Sequence, residues 1–150
     1  MFDYQRINID AVDPKARKAV LAMQRYVNSS GLDKGLVALL EIRASQLNHC
    51  AWCLDMHTRE AAEVGVPTRK INLVAAWEEA PTVFTEREQA ALGLTDEVTL
   101  LSEGGVSDGV WAEVSAYFSD EEVVALLMTI STINTWNRLN VAARTPLPHD

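Results

Sequence analysis

The feature that most constrains the fold of this chain is a succession of helix start and stop signals. Helix-initiating pairs occur at three places along the chain: Asp13 with Pro14, Thr85 with Glu88, and Ser119 with Glu122. Gly31 and Gly65 follow the last apolar residues of two helical stretches, where glycine commonly ends a helix. β-Branched residues are scattered and never alternate cleanly with polar ones, so the pattern indicates helices rather than strands.

These signals predict about seven helices joined by short loops. The predicted helical segments are 13–31, 32–48, 50–64, 67–81, 85–101, 107–118 and 119–144. No linker or repeat divides the 150 residues, so we expect one all-α domain over residues 1–150, with a loose tail at 145–150.

Charge and composition narrow the class of protein. The net charge is -8, and an acidic surface repels phosphate backbones, so we expect no nucleic-acid partner. We find neither a signal peptide in the N-terminal stretch MFDYQRINIDAVD nor an apolar run long enough for a membrane span, and therefore expect a cytoplasmic protein. In a reducing cytoplasm, a C-x-x-C pair is more often redox-active or metal-binding than structural.

The stretch HCAWCLDMH contains both cysteines and two of the three histidines. On a helix, Cys50, Cys53 and His57 fall inside an arc of about 60° and share one face. Cys50 would lie in the first turn, where unpaired N–H groups favour a thiolate, and His57 would lie one turn beyond Cys53. This arrangement suits thiol chemistry, in which one cysteine attacks a substrate and the other resolves it.

Two other interpretations of this stretch remain open. The cysteines could be small buried hydrophobic residues without chemistry. They could also bind zinc together with His57 and His49, although all four ligands would then come from nine consecutive residues, whereas structural zinc sites usually draw on two chain segments.

The segment EIRASQLNHCAWCLDMHTREAAEVGVP, residues 41–67, resembles the core of AhpD-like alkylhydroperoxidases, within the carboxymuconolactone decarboxylase superfamily. The later stretches LVAAWEEAPTVFTEREQAAL and INTWNRLNVAAR resemble helices of the small, single-domain members. The resemblance covers about residues 13–144.

The resemblance implies an all-helical fold, assembly into trimers or hexamers, and peroxiredoxin-type reduction of hydrogen peroxide or organic hydroperoxides without metal, flavin or haem. It implies that Cys53 attacks the peroxide, that Cys50 resolves the sulfenic acid, and that His57 belongs to a proton relay. An external dithiol protein would then reduce the disulfide. Decarboxylase members lack the cysteine pair, so its presence argues against that activity.

The chain departs from the family pattern at two relay positions, where Ala38 and Trp52 replace a glutamate and a histidine. Glu41, one helical turn after Ala38, is a candidate to replace the missing acid through a water molecule; alternatively it is a solvated or salt-bridged residue. The departures keep two other functions open. One is a disulfide oxidoreductase or redox sensor with little peroxidase activity, and the other is a non-catalytic oligomeric scaffold.

The NTWNR stretch places Asn134, Asn137 and Arg138 within the apolar last helix. Polar groups there need partners, so we expect a subunit contact or packing against the cysteine helix, with Arg138 paired to a carboxylate. The alternative is a solvated polar face.

Overall fold

A computed structural model describes residues 4–148, and within that range the chain is helical with no β-strand. Eight α-helices follow one another: α1 Ile9–Val12, α2 Pro14–Ser29, α3 Lys34–Leu47, α4 Ala51–Glu63, α5 Thr68–Leu73, α6 Glu86–Thr99, α7 Asp108–Tyr117 and α8 Asp120–Ala143. Short 3-10 helices occupy Val74–Glu79 and Leu101–Glu103. The all-α prediction is confirmed, and the seven predicted helices correspond to α2–α8.

The predicted N-cap residues form capping hydrogen bonds at the starts of their helices. The Asp13 side chain accepts a hydrogen bond from the backbone N–H of Lys15 at 3.0 Å, and Pro14 occupies the first turn of α2. At the start of α6, the Glu88 N–H donates to Thr85 Oγ1 at 3.1 Å, and the Thr85 N–H donates to Glu88 Oε2 at 2.8 Å. Each such cap stabilises a helix by about 1 kcal/mol. A second capping box begins α8.

Two features of the helices differ from the prediction. Helix α1 was not predicted; it is a single turn in which Asn8 Oδ1 accepts from the Ala11 N–H at 3.0 Å. The predicted 67–81 helix is wrong in its second half. There the backbone continues as a 3-10 helix and leaves helical geometry at Ala76, with φ -129° and ψ 41°.

Helix α3 lies at the centre of the fold and packs against α4, α6 and α8. Its residues Leu39, Leu40 and Ile42 are at most 1% exposed. Fully burying such a side chain contributes roughly 1.5–3 kcal/mol, so α3 is the element around which the others are fixed. The face of α3 that meets α4 and α8 carries polar residues as well, and these build the candidate site.

The residues that follow α8 stay close to that helix at first. Thr145 donates its N–H to the Asn140 carbonyl at 3.0 Å, and residues 145–148, the start of the predicted tail, are not helical. The rest of that tail, residues 149–150, and the first three residues of the N-terminal stretch lie outside the described residues.

Among the helices of residues 4–148, none combines the length and apolar character needed to cross a membrane.

Candidate active site

A tight turn between α3 and α4 positions the first cysteine. His49 is exposed and has a positive φ of 54°, which reverses the chain direction after α3. The Cys50 N–H donates to the Ser45 carbonyl at 3.0 Å, and Cys50 becomes the N-cap of α4. Its Sγ accepts a hydrogen bond from the Cys53 N–H at 3.3 Å. Cys50 therefore lies at the N-terminus of the helix, one position before the predicted first turn.

Cys50 and Cys53 form a disulfide, with their Cα atoms 5.3 Å apart. Both residues are 1% exposed, and Trp52 and Trp136 pack against the small cluster that contains them. Because the two sulfur atoms are bonded to each other, neither is available as a thiolate ligand in this oxidised state.

His57 lies between two carboxylates. Its Nδ1 is 3.2 Å from Glu41 Oε2 and 3.0 Å from Glu60 Oε2. Burial favours the neutral imidazole and lowers the pKa of His57, but hydrogen bonds to Glu41 and Glu60 together with their negative charges outweigh burial and raise it to about 9. His57 is therefore an imidazolium at neutral pH.

The two carboxylates differ in exposure. Glu41 is 6% exposed and contacts His57 directly, so it is salt-bridged rather than solvated, and no water bridge is needed. Glu60 is half-exposed; the hydrogen bond from His57 and the charge of His57 hold its pKa below the usual value, against the opposing effect of burial. Sequence reasoning missed Glu60, although its position three residues after His57 on one helix face was a usable signal.

The same three residues are the group within residues 4–148 that could hold a cation. Ligand atoms of Glu41, His57 and Glu60 lie within 4.8 Å of one another. A proton on His57 Nδ1 lies within hydrogen-bonding distance of both carboxylates, whereas the buried Nε2 has no hydrogen-bond partner among the described residues.

A cavity of about 700 Å³ opens beside this cluster, between α2, α3, α4 and α8. Cys53, His57, Glu41 and Glu60 line it, whereas Cys50 is not among its described lining residues. Much of the remaining wall is apolar: Leu21, Val27, Val37, Trp52, Met56, Trp136 and Leu139. The structure thus brings three predicted site residues to one cavity, with Cys50 bonded to the sulfur of Cys53.

Asparagines of α8 connect this site to the α3–α4 turn. Asn48 Nδ2 donates to Asn134 Oδ1 and to Asn137 Oδ1, both at 2.9 Å, and Asn137 Nδ2 donates to Ser45 Oγ at 3.0 Å. Asn134 and Asn137 are buried, which excludes a solvated polar face.

Within residues 4–148, Arg138 pairs with no carboxylate and donates to Asn134 Oδ1 at 2.8 Å instead. Further along α8, Asn140 Nδ2 lies 3.6 Å from Cys53 Sγ, a contact that sequence reasoning also missed.

The fold and the site define an all-helical protein with a C-x-x-C disulfide and a buried histidine–carboxylate cluster at one cavity. Residues 14–97 match the model of the carboxymuconolactone decarboxylase family. The uncharacterized protein YdfG of Bacillus subtilis is 33% identical over 138 residues, covering 92% of this chain and 93% of the relative. The chain belongs to the carboxymuconolactone decarboxylase family and is an AhpD-like member of it.

Solved structures agree with this assignment. A protein of unknown function from Agrobacterium tumefaciens, provisionally named as the antioxidant defence protein AhpD, superposes with a TM-score of 0.94 at 44% identity, covering 97% of this chain and 99% of its own. The debrominase Bmp8 superposes with a TM-score of 0.79 at 17% identity, covering 92% of this chain and 74% of its own, and shows the shared fold alone.

Proposed function

We propose that this protein is a thiol-dependent peroxidase that reduces hydrogen peroxide or organic hydroperoxides through Cys50 and Cys53. The observation that carries the proposal is the Cys50–Cys53 disulfide at a cavity that Cys53 shares with the His57–Glu41 pair. The antioxidant name of the Agrobacterium tumefaciens relative, at 44% identity, supports the same reaction class.

In the first step, the thiolate of Cys53 attacks one oxygen of the peroxide bond. The S–O bond forms as the O–O bond breaks, so the sulfur is oxidised to a sulfenic acid and the peroxide is reduced by two electrons. Cys53 is the attacking residue because it lines the cavity and Cys50 does not. The departing alkoxide or hydroxide needs a proton, and His57 can supply one because its pKa of about 9 keeps it charged at neutral pH.

In the second step, the sulfur of Cys50 attacks the sulfenic sulfur of Cys53. The S–S bond forms, and hydroxide leaves with a proton as water. An external dithiol then attacks Cys53, passes through a mixed disulfide, and leaves the protein reduced by two electrons. Cys50 is a good leaving group in this exchange, because its Sγ lies at the N-terminus of α4 and accepts the Cys53 N–H.

In this scheme, Glu41 holds His57 charged and oriented, and so replaces the acid that the family places at the position of Ala38. Glu41 is buried and contacts Nδ1 directly, at 3.2 Å. A cavity of about 700 Å³ with a largely apolar wall has room for an organic hydroperoxide as well as for hydrogen peroxide.

Steady-state consumption of a hydroperoxide with dithiothreitol as reductant tests the proposal. We expect turnover in the wild type and background rates in Cys53→Ser. When Cys50→Ser is mixed with hydroperoxide in the absence of dithiothreitol, we expect it to react once and then stop at the sulfenic acid, because no resolving thiol remains. Full turnover in Cys53→Ser would remove the assignment.

A parallel assay with a model disulfide in place of the hydroperoxide separates the rival functions. Dithiol–disulfide exchange with a model disulfide, without peroxide-dependent consumption of dithiothreitol, would identify a disulfide oxidoreductase or redox sensor. Thiols that react with neither peroxide nor a model disulfide would identify a scaffold in which the cysteines only pack.

A further inference from the structure

We propose that the side-chain amide of Asn140 stabilises the thiolate of Cys53, so that α8 contributes a catalytic residue to the site. The inference rests on the proposed function in one respect only, namely that the reduced Cys53 acts as a thiolate. In the disulfide state, Asn140 Nδ2 already lies 3.6 Å from Cys53 Sγ, which is hydrogen-bonding distance for sulfur.

Among the side chains of residues 4–148, Asn140 is the one that donates a hydrogen bond to Cys53 Sγ. His57 directs Nδ1 to its two carboxylates, and its buried Nε2 has no hydrogen-bond partner among the described residues. Asn140 is half-buried and lines the same cavity as Cys53, so its amide lies where the reaction would take place.

The cavity wall beside Cys53 also carries Asp10, Arg17, Lys34 and Glu63, and Arg17 is paired with Asp10 at 3.2 Å. His57 and Glu60 come from α4 and Glu41 comes from α3, whereas the cavity wall formed by α8 consists of Trp136, Leu139 and Asn140. The carboxylates oppose a thiolate at this place and His57 favours it. A neutral donor on α8 adds stabilisation of the thiolate without adding another titrating group.

Asn134 and Asn137 fix the rotation of α8 that places the Asn140 side chain beside Cys53. Asn134, Asn137 and Asn140 recur every three residues along α8, and the first two are hydrogen-bonded to Asn48 in the α3–α4 turn. Because that turn leads directly into the cysteine helix, the same contacts fix both the rotation of α8 and the position of Cys53. The amide of Asn140 is thereby preorganised toward the sulfur.

The selectivity of this hydrogen bond follows from charge. A hydrogen bond to an ionised acceptor is stronger than one to a neutral sulfur in a thiol or disulfide. Asn140 therefore favours the reactive form of Cys53 over its protonated form. Losing such a bond should lower the thiolate fraction at neutral pH by about tenfold.

The test uses Cys50→Ser, which leaves Cys53 as the single thiol and keeps a hydroxyl acceptor at the N-cap of α4. In that background, Asn140→Ala, Asn140→Asp and the control Asn72→Asp, at an exposed asparagine of α5, are compared. The pH dependence of alkylation by iodoacetamide gives the pKa of the Cys53 thiol, and stopped-flow reaction with hydrogen peroxide gives its rate constant at pH 7.

We expect Asn140→Ala to raise the thiol pKa by about one unit and to slow the peroxide reaction about tenfold. Asn140→Asp keeps the size of the side chain and should raise the pKa further, because a carboxylate repels the thiolate. Asn72→Asp should change neither quantity. Thermal unfolding of each variant checks the fold, and the similar-sized, uncharged Asn140→Leu provides the comparison if Asn140→Ala does not fold.

An unchanged thiol pKa in Asn140→Ala would overturn the inference whatever Asn140→Asp shows, because the new carboxylate raises the pKa by repulsion alone. Alkylation needs no peroxide, so the two proposals fail separately. A raised pKa in a protein that never consumes peroxide would support the role of Asn140 and reject the peroxidase. Rapid peroxide reduction with an unchanged pKa in Asn140→Ala would do the reverse.

Discussion

At the scale of single residues, the site depends on a charged histidine held inside the protein. His57 is 3% exposed, yet the carboxylates of Glu41 and Glu60 keep its proton in place. An imidazolium stabilises a nearby thiolate and can give a proton to a departing oxygen, whereas a neutral imidazole could only accept one. The cluster therefore favours His57 as an acid over His57 as a base.

This charged histidine makes stability depend on pH. The pKa of His57 is raised from 6.5 to about 9, so the folded protein holds the proton more tightly than the unfolded chain does. The contribution is complete below about pH 6.5 and is lost as pH rises toward 9, by at most about 3 kcal/mol.

The difference in unfolding free energy between the oxidised wild type and His57→Gln should therefore shrink over this pH range in urea titrations. A difference that stays constant across the range would contradict the charged state of His57.

The two carboxylates should contribute unequally to this pKa. Glu41 is buried, whereas the Glu60 side chain is 52% exposed and its charge is screened by water. We expect Glu41→Gln to lower the pKa of His57 more than Glu60→Gln does, as measured by NMR titration of the imidazole ring. Glu60→Gln serves as the matched control, and an equal or larger shift in that variant would contradict the dominant role of Glu41.

The sequence predicted part of this residue-scale chemistry. The positions of Cys50, Cys53 and His57 follow from helical spacing within one segment. Asn140 could not be placed in this way, because its contact with Cys53 joins residues 87 positions apart and depends on how α8 packs against α4. The direct Glu41–His57 contact likewise depends on the packing of α3 against α4, which periodicity does not specify.

At the scale of elements, the turn between α3 and α4 is fixed by α8. Asn137 is fully buried and links Asn48 in the turn to Ser45 on α3. Removing its side chain would leave buried donors and acceptors without partners, which costs about 1–3 kcal/mol for each group.

We therefore expect Asn137→Ala to lower the unfolding free energy by about 2 kcal/mol or more in urea titrations. Thr135→Ala is the control on the same helix, since Thr135 hydrogen-bonds only within α8, to the Ser131 carbonyl, and should change stability by about 0.5 kcal/mol or less. Equal effects of the two substitutions would contradict the structural role of Asn137.

Local signals sufficed for most element boundaries. The caps at Asp13, Thr85 and Ser119 are hydrogen bonds within four residues, so they can be recognised without knowledge of the fold. Helix α1 was missed because a single turn shows no periodicity. The break at Ala76 was missed because no proline or glycine marks it; in the fold, Trp77 Nε1 donates to Asp96 on α6 at 3.0 Å, and this tertiary contact accompanies the change of direction.

At the scale of the whole molecule, several large apolar side chains remain on the surface of the single chain. Trp111 and Tyr117 on α7 and Val124 and Val141 on α8 are between 39% and 52% exposed. Exposed aromatic and aliphatic side chains of this size are common where subunits meet. The family resemblance implies a trimer or hexamer, and we expect these side chains to contribute to its subunit contacts.

Light scattering coupled to size-exclusion chromatography should therefore give a mass of three or six chains. Trp111→Glu should reduce this mass, because a charge buried at an interface without a partner is unfavourable. A monomer mass of 16.6 kDa for the wild type at all concentrations would contradict the prediction.

Whether Cys50 and Cys53 reduce a peroxide together is tested most directly by a single-turnover experiment. Reduced protein is mixed with less than one equivalent of cumene hydroperoxide, and the tryptic peptide spanning residues 44–59 is weighed by mass spectrometry. We expect one cumyl alcohol to form for each peptide that loses two hydrogens through the Cys50–Cys53 bond. Alcohol formed while this peptide stays reduced, or a peptide oxidised without alcohol, would contradict peroxide reduction by the cysteine pair.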